Sequence, residues 1–206
     1  QHPREFSDIY CAVIGAGGYV VGECVAGRLS LDVTRATLEE VLPAIRKAAG
    51  LEIAQFRAGQ TVVVQGAGGL GVYACAVARE MGASRVVVID GLDERLELAT
   101  QFGATDVVDM HRHSTPAERI AAVKKLTDDW GGDVVLELVG HPGVVDEGLR
   151  MTAPEGTYLE IGNINVGWKA EFDPAWIIFG NRKILGLSHY EAEHLRGALD
   201  LMRRTL

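Results

Sequence analysis

From residue 61 onward, short apolar runs alternate with amphipathic stretches. Thr61-Val-Val-Val-Gln65 is β-branched and apolar at consecutive positions, which predicts a strand buried on both faces of a parallel sheet. Further strands are predicted over 85–90, 106–109, 133–138, 157–161 and 183–187. Between them, 72–81 has helical character with small side chains, and 93–102 is amphipathic, with Leu96 and Ala99 at helical spacing and Gly103 as a stop. Ser114 offers an N-cap and Pro116 a first-turn residue for a helix running to about Asp129. A short helix over 143–151 and a last one over 191–204 complete the alternation. Strands separated by single helices at short spacing predict an α/β fold, a doubly wound parallel Rossmann sheet of about six strands.

Residues 1–50 lack that rhythm and read as an irregular N-terminal segment, with the boundary near Gly50 and the α/β unit over 51–206. Cys11-Ala-Val-Ile-Gly-Ala-Gly-Gly18 has the form of a strand and glycine turn, and Thr37-Leu-Glu-Glu40 is a capping box for a helix reaching about Ala49. Pro43 lies beyond the first turn of that helix, so a kink or a later start is expected.

One motif carries specific chemistry. Gly66-Ala-Gly-Gly-Leu-Gly71 fits G-x-G-x-x-G, follows a predicted strand and precedes a predicted helix, and Asp90 ends the next strand. Gly66 permits a tight turn, Gly68 lets the backbone approach a pyrophosphate, and Gly71 lets the helix pack closely on the sheet. The helix start then offers free N–H groups and a positive dipole end to phosphates. Asp90 is placed to accept hydrogen bonds from adenosine ribose hydroxyls, and its charge would repel a 2′-phosphate, which favours NAD over NADP. Arg95, on the following helix, is within reach of that ribose or of a phosphate. A second glycine stretch, Gly15-Ala-Gly-Gly-Tyr-Val-Val-Gly22, has the wrong spacing and is read as a turn.

Composition narrows the field. The 206 residues carry a net charge of −8 with few aromatics, so a nucleic-acid partner is not expected. Cys11, Cys24 and Cys75 form no Cys-x-x-Cys pair, so neither a disulfide framework nor a zinc ribbon is suggested. The sequence shows no long apolar run or signal peptide, so a cytoplasmic protein without a membrane partner is expected. His111-Arg-His113, His141, and His189 with His194 lack metal-ligand spacing with acids, and no metal is assigned to them.

Beyond single motifs, the chain resembles the medium-chain dehydrogenase/reductase family, in its zinc-type alcohol dehydrogenase branch. The likeness rests on 58–71 (Ala-Gly-Gln-Thr-Val-Val-Val-Gln-Gly-Ala-Gly-Gly-Leu-Gly), 78–83, Arg95-Leu-Glu-Leu-Ala99, Phe102-Gly-Ala-Thr-Asp106, 132–140, 156–162 and Lys183-Ile-Leu-Gly186. The resemblance implies that Gly66, Gly68, Gly69, Leu70 and Gly71 line the pyrophosphate of NAD, and that Asp90 and Arg95 meet the adenosine ribose. It implies that Leu138 and Val139 border the coenzyme, with Ile161, Gly162 and Asn163 near the nicotinamide. Leu185 and Leu187 fall on the sixth strand, whose edge pairs with a second subunit in many relatives, so a homodimer is the oligomer it implies. The intact reaction would be hydride exchange between a small alcohol or carbonyl compound and NAD(H).

The departures from the family are as informative. The family's N-terminal catalytic domain supplies a zinc bound by Cys, His and an acid within a Gly-His-Glu signature, and no Gly-His-Glu occurs here. Cys11 and Cys24 lack local partners for a tetrahedral site. The reading is therefore a coenzyme-binding unit with no catalytic or metal-ligating residues of its own, zinc being expected only in an intact relative, and the chain a fragment, a deletion or an incompletely represented protein. Two alternatives are a non-catalytic NAD(H)-sensing module and a zinc-independent quinone or enone reductase, the latter disfavoured by Asp90.

Overall fold

The computed structural model describes Leu51 and residues 54–187. The features expected over 1–50, including both the glycine turn and the capping box, and the helix expected over 191–204 lie outside the described residues.

Six parallel strands form one sheet: β1 (Thr61–Gln65), β2 (Arg85–Asp90), β3 (Asp106–Asp109), β4 (Gly132–Glu137), β5 (Thr152–Glu160) and β6 (Lys183–Gly186). Their spatial order is β3-β2-β1-β4-β5-β6, with every neighbouring pair parallel. The crossovers are α1 (Gly69–Glu80), α2 (Asp93–Gln101), α3 (Pro116–Leu126) and α4 (Val145–Met151), the last preceded by a 3-10 turn at Pro142–Val144. This is the doubly wound Rossmann arrangement.

Alternation along the strands divides the core into two layers. Val62, Val64, Val86, Val88, Val134, Leu136 and Leu159 pack with Val72, Cys75 and Val77 of α1 and with Leu96 and Ala99 of α2. Val63, Val87, Ile89, Val135 and Tyr158 face the opposite way, against Ile120 and Val123 of α3 and Val145, Leu149 and Met151 of α4. Both faces are covered, which is why the strands are apolar at consecutive positions. Cys75 is fully buried in the first layer, and burial pushes its thiol up to about 12, so it acts as a small apolar side chain.

Several boundaries differ from the sequence expectations. Thr115, not Ser114, caps α3: the Glu118 amide donates to Thr115 Oγ1 at 3.3 Å and the Thr115 amide to Glu118 Oε2 at 2.9 Å. That helix ends at Leu126, because Asp128 and Asp129 enter a left-handed turn with φ of 50° and 62°. β5 begins at Thr152 rather than at 157, a register shift opposite Gly132/Val134 absorbing the solvent-exposed Pro154 and Glu155. A short helix α5 (Ala175–Phe179) precedes β6, in a stretch where no element was expected.

One buried ion pair ties the two helices of the second layer. Arg119 Nε and Nη2 donate to Glu147 Oε1 and Oε2 at 2.8 and 2.7 Å, with both side chains less than one tenth exposed. Arg119 Nη1 also donates to the carbonyls of His113 and Ser114, which fixes the entry into α3. Removing one partner strands the other as a buried charge. Glu147→Ala is therefore expected to cost about 3–5 kcal/mol, read as a lower urea midpoint at unchanged slope. A loss below about 0.5 kcal/mol would mean that the pair is effectively solvated.

Candidate functional site

The strand order reverses between β1 and β4, so the loops leaving their carboxyl ends diverge to opposite sides and leave a crevice, the usual ligand position in such sheets. Three connections meet there: 66–68 after β1, 138–141 after β4 and 161–163 after β5.

The three motif glycines differ in what the structure asks of them. Gly66 has φ of +93°, and its amide donates to the Ile89 carbonyl at 2.8 Å, which turns the chain off β1. A Cβ on Gly71 would overlap the carbonyl oxygen of Gly66, so only glycine lets α1 start against the turn. Gly68 has an ordinary extended backbone, φ −67° and ψ −172°, and a Cβ built there meets no atom of the described residues within 4 Å. Neither backbone strain nor packing among the described residues reserves position 68 for glycine. Among these residues no side chain caps the helix that follows, whose first turn, with Gly69 and Leu70 half-buried, starts at the crevice.

Asp90 closes this side. Its carboxylate accepts from the amides of Ala67 at 2.7 Å, Gly91 at 2.8 Å and Leu92 at 3.0 Å, and Arg95 Nη1 lies 3.8 Å away. Since a carboxylate has about four acceptor positions, roughly one remains for a ligand hydroxyl. Asp90 thus also braces the glycine loop, a role that sequence spacing did not reveal. Arg95 is half exposed and sits against this carboxylate, at the same end of the crevice.

The other side is built on a polar row. Register places Gln65 beside Glu137 and Glu137 beside Glu160, each ending its strand on the face of the second core layer. Glu137 is fully buried. Its Oε1 accepts from the amides of Val139 at 2.8 Å and Gly140 at 2.7 Å, and its Oε2 from the Gly162 amide at 3.0 Å and Asn163 Nδ2 at 3.3 Å. Asn163 Nδ2 and its amide also donate to Glu160 Oε1, at 3.0 and 3.1 Å. Burial pushes the Glu137 carboxyl up, to about 7, and the neighbouring Glu160 acts the same way; the Gly140 and Val139 amides pull back without offsetting them. Gln65 Oε1 in this row, and the hydroxyl of Tyr158 one step back on the same face of β5, are buried without a hydrogen-bond partner among the described residues.

Of the remaining residues singled out in the sequence, Leu138 and Ile161 are half-buried against the first core layer, while Val139 is 48% exposed. Leu185 and Leu187 pack on that same layer from β6, which lies one strand beyond β5 and away from the glycine loop. His141 is exposed; its Nδ1 accepts from the Gly143 amide at 3.1 Å and its ring meets the edge of Trp168. Neither Glu137 nor Glu160 was legible in the sequence as a site residue. The available signal was a carboxylate ending each of two apolar strands. Among the described residues no group of three or more His, Cys, Asp or Glu side chains is arranged to hold a metal ion. No helix among them is long and apolar enough to cross a membrane.

Residues 69–204 match the family model of the zinc-binding dehydrogenases. The chain belongs to that family. An L-threonine 3-dehydrogenase from Bacillus licheniformis is 40% identical over 99 residues, covering 48% of this chain and 28% of that enzyme. An alcohol dehydrogenase from Thermotoga maritima superposes with a TM-score of 0.72 at 29% identity, over 87% of this chain and 49% of its own. A zinc-binding dehydrogenase from Sinorhizobium meliloti, solved bound to NADP, gives a TM-score of 0.69 at 27% identity, over 79% of this chain and 47% of its own. This zinc-binding dehydrogenase chain thus spans less than half the length of each of these relatives.

The raised Glu137 carboxyl makes stability depend on pH. Between its ordinary 4.5 and about 7 the folded state holds more proton than the unfolded one, so this contribution is full below 4.5 and is lost as pH rises through about 7. Its upper bound is about 3 kcal/mol. Urea unfolding from pH 5 to 8 is expected to show the decline, with a shallower one in Glu160→Gln, which removes the lesser cause, and none from this source in Glu137→Gln. An unchanged slope in Glu137→Gln would assign the pH dependence to other groups.

Proposed function

We propose that residues 51–206 bind NAD(H) across the carboxyl edge of the sheet, as the coenzyme unit of an oxidoreductase acting on an alcohol or carbonyl compound. The observation that supports this most directly is Gly68: it stands between the left-handed turn at Gly66 and a helix start without a side-chain cap, yet none of the described residues occupies the space a Cβ would take. A glycine kept open where the described residues have no need of it fits a phosphate pressed against the backbone. The pyrophosphate would lie on 66–71, the adenosine ribose at Asp90 and Arg95, and the nicotinamide beside Val139 and 161–163. NAD(H), when bound, supplies the hydride acceptor or donor.

What the chain itself contributes is binding and orientation. The amides at the start of α1 face the phosphates, Asp90 gives its remaining acceptor position to a ribose hydroxyl, and its charge disfavours a 2′-phosphate. Although one solved relative carries NADP, Asp90 supports NAD for this chain. The described residues do not fit a catalytic zinc, since no three His, Cys, Asp or Glu side chains among them converge on one point. The outer edge of β6, with Ile184, Ile178 and Phe179 exposed nearby, supports pairing with a second subunit. A cytoplasmic location accords with this coenzyme chemistry.

Gly68→Ala separates ligand from fold. The extended backbone at 68 accepts alanine without a clash, so the melting temperature should hold or rise, by about 0.4–1 kcal/mol of added stability. NADH binding, followed by its fluorescence, should weaken roughly tenfold or more. Equal NADH affinity in wild type and Gly68→Ala would count against a pyrophosphate at this position. In parallel titrations, wild type should prefer NADH to NADPH by at least about tenfold, and Asp90→Asn should narrow that preference by relieving charge repulsion. A preference for NADPH in the wild type would reverse the coenzyme assignment.

A further inference from the structure

The loops after β4 and β5 are built as a single unit. A Cβ on Gly140 would come within 2.7 Å of the Gly162 carbonyl oxygen, and one on Gly162 within 2.6 Å of Glu137 Oε2, so the two backbones touch. The Glu137 carboxylate lies beneath the junction and takes two N–H groups from each side. Asn163 then bridges from Glu137 to Glu160, so the last residues of β4 and β5 hold both loops through one side chain. On the other flank, a Cβ on Gly66 would sit 3.0 Å from Val139 Cγ2 and 3.3 Å from Leu138. The β4 loop is therefore wedged between the glycine turn and the β5 loop, and its position depends on what anchors it from below.

We propose that Glu137 is a positioning residue for the nicotinamide half of the coenzyme: by accepting from Val139, Gly140, Gly162 and Asn163 together, it fixes the two loops between which that ring is received, with Asn163 and Glu160 as its relay. This rests on the coenzyme reading above. Glu137 touches no ligand position itself, being buried under the loops. The adenosine half lies on the opposite side of β1, at Asp90 and the glycine loop, whose hydrogen bonds among the described residues do not include Glu137. Glu137 should consequently act mainly on the nicotinamide half, since its link to the glycine turn is only the packing of Val139 and Leu138.

Glutamine at 137 keeps the shape but turns one acceptor oxygen into an NH2 group, which faces N–H donors on whichever side it points. Two of the four hydrogen bonds are then lost, without a cavity. Asn163→Ala removes the bridge to Glu160 while leaving Val139, Gly140 and the Gly162 amide bound. The test compares NADH with ADP-ribose, which carries the pyrophosphate and both riboses but no nicotinamide, on the full chain by calorimetry. Expected in Glu137→Gln is a loss of NADH affinity of roughly tenfold, with ADP-ribose affinity within about twofold of wild type, and a smaller selective loss in Asn163→Ala. NADH fluorescence in the complex should shift toward that of free NADH in both variants. A parallel loss for both ligands, or for neither, would overturn the positioning role. Should Glu137→Gln fail to fold, Asn163→Ala with equal effects on NADH and ADP-ribose would overturn it as well. Failure of wild type to bind ADP-ribose at all would instead refute the coenzyme reading beneath it.

Discussion

The crevice exists because backbones approach one another at glycines more closely than any side chain allows. Gly71 against the Gly66 carbonyl sets where α1 leaves the sheet, and Gly140 against Gly162 sets how the next two loops meet. A Cβ at any of these contacts would push apart elements that the valine layers below hold fixed, and interiors packed at crystal density absorb such a shift poorly. The core therefore supplies a rigid floor, and the glycines determine the height of the walls upon it.

Polar residues at the strand ends complete that design. Asp90, Glu137 and Glu160 each terminate a strand and accept loop amides, turning the sheet's last register into a row of acceptors. Loop N–H groups at the edge of a buried sheet would otherwise lack partners. Satisfying them with carboxylates rather than water fixes the loops, at the cost of holding charge in an apolar setting. For Glu137 that cost appears as a carboxyl pushed up to about 7. The Arg119–Glu147 pair does the equivalent on the helical layer, buried but fully matched.

The chain belongs to the zinc-binding dehydrogenases, and its conspicuous residues gather at the carboxyl edge of the sheet. In the proposed coenzyme reading they divide into an adenosine side, centred on Asp90 and the glycine turn, and a nicotinamide side, centred on the loops above Glu137. The two sides share β1 and β4 as their floor but use separate anchors. On that reading, each half of a dinucleotide would have its own carboxylate anchor.

The α/β class, the strand segments and the glycine motif were legible in the sequence, because consecutive apolar residues, capping signals and G-x-G-x-x-G spacing are local properties of the chain. Even the different duties of Gly66, Gly68 and Gly71 follow from their spacing, although the open space above Gly68 is visible only in three dimensions. The polar row was not legible: Gln65, Glu137 and Glu160 are far apart in the chain, and only the register of β1, β4 and β5 makes them neighbours. The same holds for Arg119 and Glu147, whose pairing depends on how α3 and α4 pack. The bulged start of β5 and the choice of Thr115 over Ser114 as a cap were likewise settled by neighbours rather than by propensity. Sequence determined the fold class, most of the elements and the glycine loop that could receive a phosphate, since those depend on residues close in the chain. Tertiary structure decided which charges are buried together, because burial and pairing are properties of the packed sheet.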